Sequence, residues 1–65
     1  MSFLVLCERA ALLAQREAAL SERQATARAR GVAAEIRQLD QELAATATEK
    51  RIVVRLAVNC AEVGA

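Results

Sequence analysis

Arg9, Arg16, Arg23, Arg30 and Arg37 recur every seventh residue, and Glu35, Glu42 and Glu49 follow with the same period. The chemistry open to such rows is ion pairing. A guanidinium offers several fixed donors, a carboxylate accepts them, and the two meet as a charge-assisted pair. In one antiparallel register Arg16 meets Glu49, Arg23 meets Glu42 and Arg30 meets Glu35. That register folds the chain near residue 32, beside Gly31, one of only two glycines. Charge rows with a seven-residue period, lying beside an apolar seam, set partner and orientation in coiled coils.

Other chemistry has little to work with. The chain contains no histidine, the commonest general base at neutral pH. Glu17 and Asp40 stand among polar neighbours without a second carboxylate at a useful spacing. Ser2 and Ser21 lack a base, and Cys7 and Cys60 lack a histidine partner. Two cysteines without histidine do not complete a zinc site. No glycine-rich phosphate loop is present. The expectation is a non-enzyme with no cofactor, no metal and no small-molecule substrate.

Composition narrows the class further. Sixty-five residues, no proline, one phenylalanine and many alanines describe a helix former near the lower size limit for independent folding. Hydrophobic residues still make up 55% of the chain. A lone hairpin has too little interior for them, so a homodimer or a protein partner is expected. A net charge of +1 creates no global field toward nucleic acid. The apolar runs at residues 3–7 and 52–58 are short and flanked or broken by charge, so neither a secretory signal nor a membrane span is expected. A cytoplasmic protein with reduced thiols follows. Cys7 and Cys60 fall at the same end of the hairpin, as two free, partly buried thiols or as a bridged pair.

These residues need helices to position them. From Phe3 to Ala27 a 3-4 spacing runs through Phe3, Leu6, Ala10, Leu13, Glu17, Leu20, Gln24 and Ala27. With Phe3 as heptad position a, Leu6, Leu13 and Leu20 are d, and Arg9, Arg16, Arg23 and Arg30 are g. The frame fails after Gly31 and restarts with Ile36 and Leu43 at a and Val32, Leu39 and Val53 at d. Glu35, Glu42 and Glu49 then become g, and antiparallel coiled coils bring g against g. A phase change at a glycine predicts a turn. The predicted fold is all-α: one antiparallel two-helix hairpin, helices about 2–29 and 32–61 in a single domain of 1–65, associating into a four-helix bundle or with a partner.

Three details stand apart. Thr46 and Glu49 match a capping box, so residues 46–61 could start a third helix, and the β-branched run 52–58 could form a strand. Lys50 at an a position breaks the seam, and an eleven-residue period through Ile36, Ala47 and Val58 partly avoids it. Glutamate followed by lysine or arginine three or four residues later never occurs, so the charges are expected to act between helices.

The open end is rich in large apolar groups. Val5 and Leu12 occupy c positions, Ile52 a c position and Leu56 a g position, all on one side around Arg9. Leu56, not a glutamate, stands opposite Arg9, which predicts no acidic partner for it within the hairpin. Val5, Arg9, Leu12, Ile52 and Leu56 are the candidate partner-binding residues. The functional expectation is a small protein–protein interaction module: a regulator, an inhibitor such as an anti-activator, or a co-chaperone. Nucleic-acid binding is the alternative. Ala27, Gly31 and Val32 reproduce part of a helix-turn-helix turn, but the apolar residue that motif needs six after the glycine is Arg37 here. In size and shape alone the chain is also similar to the dimeric RNA-binding hairpins of plasmid copy-number regulators.

Overall fold

The computed structural model describes residues 2–64. They form two helices, α1 (Phe3–Arg30) and α2 (Ala33–Gly64), folded back on one another into a rod of 50 × 14 × 13 Å. The expected all-α hairpin is therefore the architecture, with each helix ending within a few residues of the sequence-based boundary.

Local chemistry explains the ends. Ser2 is extended, and its hydroxyl accepts a hydrogen bond from the Val5 amide at 3.2 Å, capping α1. At the other end Gly31 adopts φ 72° and ψ 27°, the left-handed region where glycine carries no Cβ penalty. Its amide donates to the carbonyls of Ala27 at 2.9 Å and Arg28 at 3.2 Å, and the Val32 amide donates to Ala27 at 3.3 Å. These are the bonds of a Schellman motif, which satisfies the last carbonyls of a helix. Arg28 and Arg30 in the last turn complement the negative helix end, and Glu35 sits in the positive first turn of α2.

Burial follows the two heptad frames. Leu6, Leu13, Leu20, Ala27, Leu39, Thr46 and Val53, all at d, are buried, as is Ala57 at a. Most other a positions, from Ala10 to Lys50, are half-buried. The interior divides into one cluster of Leu6, Leu13, Val53 and Ala57 at the open end and another of Leu20, Ala27 and Leu39 near the turn. Frame and phase change thus both survive folding, except at the ends: Val32, expected at d, lies in the turn between the helices and is 43% exposed, and Phe3, expected at a, is 45% exposed. Val58, which the eleven-residue period would bring inward, is 50% exposed.

Two expectations need correction. Thr46 does not start a third helix, and residues 52–58 form no strand: both lie inside the unbroken α2. Thr46 is 4% exposed, packed in the seam, and a continuous apolar stripe against α1 outweighs the local capping signal. Lys50 is also not simply a defect. Its Nζ lies 2.8 Å from Oε1 of Glu17, another a residue across the seam, and the two side chains are only 34% and 29% exposed.

A polar pair at facing a positions favours one register and is in general less stabilising than aliphatic packing. Replacing both Glu17 and Lys50 by leucine should raise stability by about 1 kcal/mol or more, because aliphatic surface then fills the layer. Lys50→Leu alone should lower it by about 1 kcal/mol, because the half-buried Glu17 loses its partner. Urea denaturation of the three proteins checks both signs.

The molecule remains a poor shield for its own apolar residues. Its accessible surface is 4820 Å², whereas a compact protein of this mass exposes about 4000 Å².

Candidate protein-contact site

The two helices give the hairpin two flanks. One carries the c and g positions of both helices, the other the b and e positions. On the c/g flank the aliphatic candidates are all open to solvent: Val5 is 48% exposed, Leu12 59%, Ile52 56% and Leu56 49%. Heptad position explains this, because d residues turn into the seam, c residues turn away from it and g residues stand beside it.

Arg9 lies on the same flank, but it is not without an acidic partner. Its Nη2 donates to Oε1 of Glu49 at 2.5 Å. The acidic row ends at Glu49, one heptad short of Leu56, and the aliphatic groups around Arg9 offer its guanidinium nothing. An arginine side chain is long enough to lie along them and reach the last carboxylate in the row. Both side chains are about half exposed, so the pair stabilises the hairpin by only a few tenths to about 1 kcal/mol.

The remaining charge rows also differ from the expected pairing. Glu49 meets Arg9 in place of Arg16. Arg23 and Glu42, and likewise Arg30 and Glu35, close no ion pair among the described residues. The residues share one flank in antiparallel order, but g side chains splay outward beside the seam, and in water an exposed pair gains too little to hold two long side chains together. The ion pairs that do close are Arg9–Glu49, Glu17–Lys50 and, at 3.8 Å on the other flank, Arg28–Asp40. Asp40 also accepts from the Gln24 amide. All of these join one helix to the other, as the lack of Glu-to-Lys spacing within each helix implied.

Sequence reasoning missed two features. Glu17–Lys50 was detectable: both residues fall at a, in the register that the g rows define. The second is a shallow apolar groove of about 450 Å³ on the b/e flank, lined by Phe3, Cys7, Val54, Val58 and Ala61. Its signal was present in the b and e positions at the open end, which are almost all apolar.

Cys7 and Cys60 are free thiols, the first exposed and the second half-buried against the open-end cluster. Among the described residues no group of three histidine, cysteine or acidic side chains is arranged to hold a metal ion. No described helix is long and apolar enough to cross a membrane. The turn at Gly31 sends α2 back along α1, whereas the helices of a helix-turn-helix cross at about 90–120°. Neither a protein family nor any curated sequence or solved structure matches this chain.

Proposed function

We propose that this chain is a small non-catalytic protein–protein interaction module acting in the cytoplasm. It works as a regulator or inhibitor, of the anti-activator or co-chaperone kind, by laying an apolar helical face against another protein. One observation carries the reading: Val5, Leu12, Ile52 and Leu56 are each about half exposed or more, on one flank of the open end. Monomeric proteins seldom leave a contiguous aliphatic surface in water, because covering it releases free energy in proportion to its area.

Arg9 suits the centre of such a surface. Its aliphatic stem extends the patch, and its guanidinium, about half exposed beside Glu49, keeps donors free for a partner. Arginine is enriched among residues that dominate binding energy, particularly where neighbours exclude water. The absence of histidine, of a nucleophile with a base and of a phosphate loop leaves binding as the chemistry available.

The test is association measured on single variants. Arg9→Ala and Leu12→Ala should each weaken binding by more than about 1 kcal/mol, with helix content unchanged by circular dichroism. Unchanged binding in both would place the contact surface elsewhere on the hairpin.

A further inference from the structure

We infer that the c/g flank is covered by a second copy of this chain, related by a two-fold axis along the length of the hairpin. Two hairpins then lie side by side, with their turns at the same end, as a four-helix bundle. This rests on reading the flank as a protein-contact surface and names its occupant.

Charge and apolar complementarity carry the assignment. Arg16, Arg23 and Arg30 stand in a row on α1, and Glu35 and Glu42 stand in a row on α2, none of them closing an ion pair among the described residues. Each row has a single sign, and both lie toward the turn. Toward the open end both rows give way to aliphatic residues, Val5 and Leu12 on α1 and Ile52 and Leu56 on α2. A two-fold axis along the hairpin sets α1 of each copy against α2 of the other at equal height. The arginine row of one copy then faces the glutamate row of its mate, and the aliphatic halves face each other.

The opposite arrangement fails on the same residues. A two-fold axis across the hairpin would set arginines against arginines and lay the aliphatic half of α2 over the partner's glutamates. Like charges facing each other and carboxylates against aliphatic surface are both unfavourable. The first arrangement is isologous: every contact occurs twice, and the assembly closes on itself. Its size is also suitable. A face of 50 by 14 Å covers roughly 700 Å², close to the ~800 Å² that each partner contributes to a standard stable interface. The flank that holds the groove between Phe3 and Val58 carries Arg37 and Arg51 without an acidic row to face them, and it does not select an orientation in this way.

The experiment uses charge reversal in separate chains. Arg23→Glu and Glu42→Arg each touch a residue without an ion pair in the hairpin, so circular dichroism should show native helix content for both. Each variant alone should self-associate about tenfold more weakly than the native chain, because its dimer holds two like-charge contacts. An equal mixture should recover a dimer of twice 7.0 kDa by sedimentation equilibrium. In the mixed dimer one contact joins the new glutamate to the new arginine, and the other keeps native Arg23 with native Glu42. Compensation between chains is beyond any effect confined to one hairpin. A mixture no more associated than its components, or a native chain that stays at 7.0 kDa, overturns the assignment. If the native chain still retains a different protein that Leu12→Asp does not, only the occupant is wrong. If Leu12→Asp retains the same proteins as the native chain, the contact-surface reading fails as well.

Discussion

Leu13→Ala should unfold the hairpin or bring it to the edge of unfolding, whereas Leu12→Ala, one residue away, should leave its folding almost unchanged. Leu13 is 2% exposed and packs with Leu6, Val53 and Ala57, while Leu12 is 59% exposed. Truncating a buried leucine removes its transfer free energy and leaves a cavity, a loss of about 2–5 kcal/mol. A chain of this length has only about 3–10 kcal/mol of total stability, so the loss is comparable to the whole. Truncation at an exposed site usually changes stability by less than about 0.5 kcal/mol. Thermal or urea unfolding of the two variants, at a concentration low enough for both to be monomeric, separates the cases. Equal losses would mean that the seam does not run through the d positions.

Gly31→Val should cost about 1–2 kcal/mol or more. A Cβ at residue 31 would meet nothing within 4 Å, so the cost does not come from a clash. It comes from φ 72°, a conformation that brings Cβ too close to the following carbonyl in L-residues and that β-branched side chains adopt least readily. Gly31→Asn should lose less, because asparagine tolerates the left-handed region better. Equal stability in all three proteins would point to a helix running straight through residue 31.

Much of the fold was legible because two independent patterns agreed. The apolar frame broke at Gly31, and the arginine and glutamate rows paired only if the chain turned there. Burial at Leu6, Leu13, Leu20, Leu39 and Val53 follows from that agreement. The ion pairs were less legible, for a physical reason. A heptad letter locates a Cα, but an arginine side chain spans more than one turn, so Arg9 could reach Glu49 past Leu56. The Thr46 capping signal misled because it is local, and packing along the whole of α2 overrides local preference. The aliphatic flank was read from the c and g letters, and those residues are exposed in the hairpin. What covers them depends on a second molecule, which a single-chain pattern encodes only through its unpaired charges.

The role proposed for this chain requires the open half of the c/g flank to be a protein-contact surface. The direct measurement is affinity capture with a tagged native chain and a tagged Leu12→Asp chain, produced alongside untagged native chain in the organism that encodes it. The native bait should retain a protein, a second copy of the chain or another, and Leu12→Asp should lose it while staying helical. Identical retention by both baits would contradict that role.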